Sequence, residues 1–493
     1  MASFDNTISE GWSSYERTRV EAALASIAAV ANVTFTITSN PNADFQLVKS
    51  DDPFSSAGSL GYFYLPNFTG QSVGVFNSDG FGWDTSGLRE GGTGYTTIVH
   101  ELLHGLGLAH PHDGGSVLQG VTSPFNSLGN NDLNQGVYST MSYNSGYYGT
   151  PNFIRGSEAG PMAFDIAALQ DIYGANMSHA TGDDIYELDG SNSDGSAWKS
   201  IWDAGGSDTI RYSGSADVVI DLRAATLQYE AGGGGFISNA SGISGGYTIA
   251  NGVVIENAIG GSGDDTLTGN DADNELTGNG GNDVIKSGAG DDDIDAGSGN
   301  DDASGGSGDD EIDAGSGNDT VDGDSGADQI QTSNGTNTIY GGSGGDNITG
   351  GTGRDTIYAG SGDDVVNGNG DVDTIFGGRG DDDIDGGAGN DFITGGLGQD
   401  TLTGGDGSDD FIFEFISDSL VGADNRDVIV DFEIGLDDID LSAFVGLNFT
   451  DDITLSTSGG NTVVGIDVNG DDVDDMEIFV TGVTNLSQGD FLL

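Results

Sequence analysis

The chain has 493 residues and a formal net charge of -68, from 80 acidic against 12 basic side chains. Its length predicts two or more domains. The imbalance argues against nucleic acid or an anionic membrane surface as partner, since both attract basic patches. It also opposes compaction unless cations neutralise part of it, and calcium is the hard dication that aspartate oxygens suit best.

There is no cysteine, so no disulfide staples the fold and no thiolate serves as nucleophile or ligand. No apolar run approaches the length of a membrane span. The opening MASFDNTISEGWSSYE lacks the basic and apolar regions of a Sec signal peptide, so export would need another address.

Residues 1–177 read as a mixed α/β globular domain that holds every histidine except His179. ERTRVEAALASIAAVANVTFTI predicts an alanine-rich helix running into a strand. SLGYFYLP predicts a short aromatic strand closed by Pro66. In FDIAALQDIYGAN, Ile166, Leu169 and Tyr173 share a helix face that Gly174 ends.

Between these elements lies IVHELLHGLGLAHP, Ile98 to Pro111. On a helix, His100 and His104 stand at i and i+4 and project from one face, able to share an ion. Glu101 lies beside the first of them, placed to accept a proton from metal-bound water. Gly107 can adopt the left-handed conformation that ends a helix, and the returning chain brings His110 to the same ion. Three neutral imidazoles leave a fourth position open, the catalytic arrangement for zinc. The full H-E-x-x-H-x-x-G-x-x-H pattern also predicts a methionine turn downstream, and YSTMSY supplies Met141.

Residues 178–259 contain TGDDIYEL and WDAGGSDTIRYSG, which read as isolated half-repeats in a β-rich connecting region. From Gly260 to Ile412 a nine-residue period holds phase for 153 residues, or 17 repeats of G-G-x-G-x-D-x-(apolar)-x. This is the nonapeptide of calcium-binding parallel β-helices. The sixth position is Asp265, Asp283, Asp292, Asp301, Asp310, Asp319, Asp328, Asp346, Asp355, Asp364, Asp373, Asp382, Asp391, Asp400 and Asp409, with Asn274 and Asn337 in the other two repeats. The eighth is apolar throughout, with Ala303 the smallest. These aspartates and the turn carbonyls predict calcium ligands, and the x-U-x triplets predict short strands around a thin core. A disordered low-complexity linker is the competing reading, against which the strict phase argues. Residues 413–493 form a strand-rich tail. Its DVNGDDVDD, with Asp467, Asn469, Asp471 and Asp475, reads as a further calcium loop or as a solvated acidic hairpin.

The zinc motif with Pro111 after it, the S-x-M-S-Y turn, D-I-A-A-L-Q-x-x-Y-G-A-N, WDAGGSDT, ENAIGGSGDD and the nonapeptides together resemble the serralysin-type secreted metalloproteases, bacterial members of the metzincins, over almost the whole chain. The resemblance implies a metzincin-like α/β catalytic domain followed by an all-β calcium-binding parallel β-roll. It implies one zinc ion held by His100, His104 and His110, with Glu101 as general base and later proton donor. Tyr143 would be an extra zinc ligand at rest that swings away to hydrogen-bond the tetrahedral intermediate. A polypeptide substrate would pair with the strand Gly61 to Leu65, which contains Tyr62, Phe63 and Tyr64. Asp165 reads as a structural or helix-dipole residue rather than a catalytic one. The terminal GDFLL resembles an uncleaved signal for the type I secretion machinery, and a secreted monomer is expected.

Two features depart from that family pattern. Little chain precedes GWSSYERTRV, where relatives carry a propeptide and a first strand, so the chain reads as a mature fragment, a mis-started frame or a shortened member. The run of 17 repeats is long for the family, which suggests a stalk or display role. A calcium-dependent surface adhesin with an ancillary protease-like domain is therefore the alternative to an endopeptidase.

Overall fold

The structure, a computed structural model, describes residues 2–8, 11–50, 61–64, 72–80, 82–113, 118–119, 121–123, 127–144, 157–193, 195–423 and 425–493. The chain divides into two compact units, Met1–Asn257 and Ala258–Leu493.

In the first unit, helix α1 (Ser14–Val30) begins at a capping box: Glu16 N–H donates to Ser13 Oγ and Ser13 N–H to Glu16 Oε2. Val20, Ala23, Leu24 and Ile27 recur at helical spacing and are buried. Extended Ala31 ends the helix and β2 (Val33–Ile37) follows. The sequence pattern assigned no strand before α1, yet Ala2–Ile8 form β1, with Phe4 beside Phe35 and Ile8 beside Leu47 in parallel register. With β3 (Phe45–Ser50), β4 (Gly61–Tyr64) and β5 (Ser72–Asn77) the sheet order is β2-β1-β3-β5-β4. Only β4 runs antiparallel to its neighbour, and it forms one edge among the described residues.

Helix α2 (Thr93–Gly105) buries Tyr95, Ile98, Val99, Leu102 and Leu103. Gly107, at φ 103°, turns the chain back after it, and its N–H donates to His104 O. Helix α3 (Ala163–Tyr173) stops at Gly174, φ 82°. The connecting region packs within this unit: Ile185–Glu187 pairs in parallel with Thr209–Arg211, and Trp198 closes a buried cluster with Val137 and Met162.

The second unit opens with the repeats. Until the last two, which pair with strands of the tail, the strands of the repeats pair in parallel with those 18 residues on, for example Ile339 with Ile357 and Ile357 with Ile375, or Ile294 with Ile312 in the alternate repeats. Successive nonapeptides therefore lie in two different sheets, and one turn of the roll is two repeats. The eighth-position side chains, Leu267 through Phe411 and including Ala303, are all buried and form the core between the sheets. A glycine is required at the turn where Gly360 holds φ 114°, because a Cβ there would strike Gly342 O. On one sheet's outer face Tyr340, Tyr358 and Phe376 stack nearly parallel, with centroids 5.2 and 5.0 Å apart. In the tail, Asn461–Ile466 pairs antiparallel with both Ile453–Ser458 and Met476–Val480. The DVNGDDVDD loop closes on itself: Asp467 accepts the N–H groups of Gly470 and Asp472, and Asn469 Nδ2 donates to Asp475.

Candidate metal centre

Helix α2 presents His100 and His104 one turn apart, and the reversal at Gly107 returns His110 to them. His110 Nε2 lies 3.1 Å from His100 Nε2 and 3.0 Å from His104 Nε2. The opposite nitrogens are each anchored. His100 Nδ1 stands 2.9 Å from Thr140 O, His104 Nδ1 2.8 Å from Leu108 O, and His110 Nδ1 2.5 Å from Asp113 Oδ2. Carbonyl partners require Nδ1–H, which leaves the Nε2 lone pairs of His100 and His104 aimed at His110. Burial holds the His100 imidazole down at about 3 and also lowers that of His104, which disfavours a proton on either ring. A cation at the meeting point of the three nitrogens would satisfy their lone pairs. Three converging nitrogens fit zinc, whose bonds of about 2.0–2.1 Å put tetrahedral ligand atoms roughly 3.3 Å apart.

Glu101, on the same helix, is 7% exposed, and burial pushes its carboxyl up to about 8. The edge strand β4 approaches it closely: a Cβ on Gly61 would sit 3.0 Å from Glu101 Cγ. Tyr62 and Phe63 continue β4 beyond that contact, while Leu65 lies outside the described residues. Tyr143 packs its ring against His110, 4.5 Å between centroids, and against His100 at 5.9 Å. Its phenol is raised by burial and then by the charges of Glu101 and Asp113.

Met141 is buried in a turn that α3 holds in place. The Asp165 carboxylate accepts from Ser139 Oγ, Thr140 N–H and Met162 N–H. The structural role expected of Asp165 thus acts on the methionine turn. A cavity of about 490 Å³ opens beside His110, Pro111, Met141 and Phe164.

Two features escaped the sequence pattern. His112, one residue past Pro111, stacks on His110 and touches Tyr143. Asp184, Asp203 and Asp208 bring oxygens within 4.8 Å of one another. Asp208 Oδ2 is buried with no partner among the described residues, and burial raises the Asp208 carboxyl to about 6. The signal for this cluster was the paired half-repeats, TGDDIYEL and WDAGGSDT.

Along the roll the sixth-position aspartates repeat one geometry. From Asp265 to Asp391 each N–H donates to the Oδ1 of the sixth-position residue 18 residues on, as Asp364 does to Asp382 and Asp319 to Asn337, while Asp400 and Asp409 donate to Asp427 and Asp437 of the tail. From Asp283 through Asp409 every one of these aspartates leaves Oδ2 buried with no partner among the described residues. Buried anionic oxygens beside turn carbonyls are a donor set for a hard dication. Asp265 differs, its Oδ2 accepting Gly261 N–H.

Residues 163–493 match the family model described as Peptidase M10 serralysin C terminal. Serralysin C of Dickeya chrysanthemi is 35% identical over 240 residues, 45% of this chain and 48% of that protein. Serralysin of Proteus mirabilis is 33% identical over 226 residues, 40% of this chain and 44% of that one. Metallopeptidase AprA of Pseudomonas marginalis is 33% identical over 254 residues, 47% and 51% of the two chains. The chain spans about half the length of the curated relatives it matches, and the likeness lies in its C-terminal half. The histidine motif on α2 precedes the residues that the family model matches. Among solved structures, the AlgE6R3 subunit of the Azotobacter vinelandii mannuronan C5-epimerase is 30% identical over 27% of this chain and 80% of that one, with a TM-score of 0.23.

Proposed function

Because the chain belongs to the peptidase M10 serralysin C-terminal family, we propose that it is a secreted, zinc-dependent endopeptidase with a calcium-stabilised roll. The observation that carries this reading is the convergence of His100, His104 and His110 Nε2 with Glu101 buried beside them. In it the first unit is a metzincin-like catalytic domain.

His100, His104 and His110 would hold the metal, joined at rest by Tyr143. Zinc bound there supplies Lewis-acid polarisation of the peptide carbonyl and lowers the pKa of a water. The other steps belong to the chain. The Glu101 carboxylate takes a proton from the attacking water and returns it to the departing amine. Its burial favours the neutral acid, and a nearby dication restores the carboxylate that a base requires. Tyr143, once moved off, donates its phenolic hydrogen to the developing oxyanion. Gly61 to Tyr64 offer an edge strand against which an extended polypeptide can pair. The cavity beside Phe164 and Met141 takes an apolar side chain.

Calcium occupies the aspartate turns, and the Asp184, Asp203 and Asp208 cluster offers the same oxygen chemistry. The family resemblance supports export through a type I machinery. Repeats short of calcium in the cytosol stay unfolded, then close in millimolar calcium outside. Among the described residues no helix is long and apolar enough to cross a membrane. A second reading, a calcium-dependent adhesin, is favoured by the stacked Tyr340 and Tyr358, which stand 41% and 38% exposed.

Casein hydrolysis in calcium and zinc tests this. The native protein should cleave and Glu101→Ala should lose the activity by several orders of magnitude while keeping its zinc. Equal activity in both, or none in either with zinc bound, would sink the protease reading.

A further inference from the structure

Three imidazoles surround the ring of Tyr143. His110 and His100 belong to the ligand set. The third is His112, with its centroid 4.8 Å from that of Tyr143 and planes inclined at 53°. His112 also lies nearly flat on His110, 4.9 Å between centroids and 16° between planes. Its side chain is 7% exposed. Its Nδ1 is buried with no hydrogen-bond partner among the described residues, and its Nε2 stands 3.6 Å from Asp113 Oδ1. Burying a polar nitrogen unpartnered is unfavourable, so among the described residues it is ring contacts, with the Asp113 carboxylate beside Nε2, that keep this imidazole in place. Those contacts are with His110, which the metal would fix, and with Tyr143, which has to move.

We propose that His112 is a positioning residue for Tyr143: packed against both His110 and the phenol ring, it holds Tyr143 at the metal centre and sets how readily the phenol leaves. The proposal rests on the reading of Tyr143 as a ligand of the resting enzyme. Any group that needs the coordination place of Tyr143 must first displace it, so its apparent affinity is reduced by the fraction of molecules in which the phenol has already left. Removing the His112 ring takes away an aromatic contact made only in the resting arrangement and shifts that fraction upward. Because the contact is ring packing, a phenylalanine at the same place keeps most of it.

The test uses the full chain in calcium, with copper(II) in place of zinc. A phenolate on copper gives a charge-transfer absorption band, and acetohydroxamate, a bidentate metal ligand, abolishes the band as it displaces the tyrosine. Copper bound at one per chain in every variant establishes that the centre has formed. His112→Ala should bind acetohydroxamate roughly two- to tenfold more tightly than the native protein, the worth of one aromatic contact. His112→Phe should bind it as the native protein does. In a Tyr143→Phe background, where the metal's own spectrum reports binding, His112→Ala should change nothing. Equal tightening with Tyr143 absent, or no tightening with it present, would overturn the proposal. A native copper protein whose spectrum matches that of Tyr143→Phe would instead refute the ligand role of Tyr143, and the proposal with it.

Discussion

The buried carboxylate of Asp165 accepts the backbone N–H of Thr140 at 2.6 Å, and the carbonyl of that same Thr140 stands 2.9 Å from His100 Nδ1. One residue thereby links the start of α3 to the tautomer of the His100 imidazole. Asp165 also gathers the Ser139 hydroxyl at 2.8 Å and Met162 N–H at 3.0 Å. Asp165→Ala strands all three donors in the interior. We expect a loss of about 3 kcal/mol in stability, the scale for unpaired buried donors to a charged group, and zinc affinity lowered roughly 10–100-fold. Thermal unfolding and a competitive zinc titration check the two effects separately. A lowered melting temperature with native zinc affinity would confine Asp165 to the fold.

Glu101 makes the metal-free protein sensitive to pH. Burial raises its carboxyl from 4.5 to about 8, whereas the unfolded chain releases that proton near 4.5. The stability contribution is therefore fully present below pH 4.5 and is lost as pH rises through 8. Glu101→Gln stays neutral throughout. Stripped of metal, the native protein and Glu101→Gln should melt together at pH 4, and the variant should melt higher at pH 8.5. Identical melting curves at both pH values would show that the carboxyl is not buried as described.

The parts legible in the sequence are those whose meaning is local. His100 and His104 fall on one face because four residues make one helical turn, and Gly107 announces the reversal that delivers His110. The roll's core is likewise readable in the apolar eighth position of each repeat. Other features depend on distant partners. Strand β1 escaped because Asn6, fully buried, interrupts the apolar alternation between Phe4 and Ile8. A nine-residue text does not say that alternate repeats go to opposite sheets, so the pairing of Ile357 with Ile375, 18 residues on, had no signal. His112 is a single letter between Pro111 and Asp113 until the fold sets it against Tyr143.

The roll should fold without calcium in acid. Burial first, then neighbouring carboxylates, lift Asp310 and Asp346 to about 7 and Asp373 and Asp382 to about 8. In the unfolded chain these groups titrate near 3.8. The stability they contribute is present below that value and disappears as pH climbs through 7 and 8. In a calcium chelator, circular dichroism should report strands at pH 4 to 5, with loss toward pH 8 and recovery on adding calcium. A calcium-free roll equally ordered at pH 4 and pH 8 would contradict the burial of these carboxylates.

Asp382→Asn separates the needs of the calcium-free and calcium-bound roll. Asp382 Oδ2 and Gly395 O both approach the space beside Gly377, each within 2.5 Å of where a Cβ would stand there. Two acceptors thus border the same space, and Asp382 Oδ2 has no hydrogen-bond partner among the described residues, so a proton or a cation there would offset the burial of its charge. Elsewhere in the roll a neutral donor takes that role. Asn337 Nδ2 donates to Gly350 O at 3.4 Å and to Thr332 Oγ1 at 3.0 Å, and Ser287 Oγ donates to Gly305 O. An asparagine at 382 can bond Gly395 O in the same way, while giving up an anionic ligand. In chelator at pH 8, Asp382→Asn should therefore be more ordered than the native roll, by about 1–3 kcal/mol. In a calcium titration its folding midpoint should move several-fold higher and its steepness should fall, because one turn no longer recruits an ion. Circular dichroism at pH 8 reads both effects. A variant that loses order in chelator as well as in calcium would mean that the carboxylate at 382 supports the turn by itself, with no ion required.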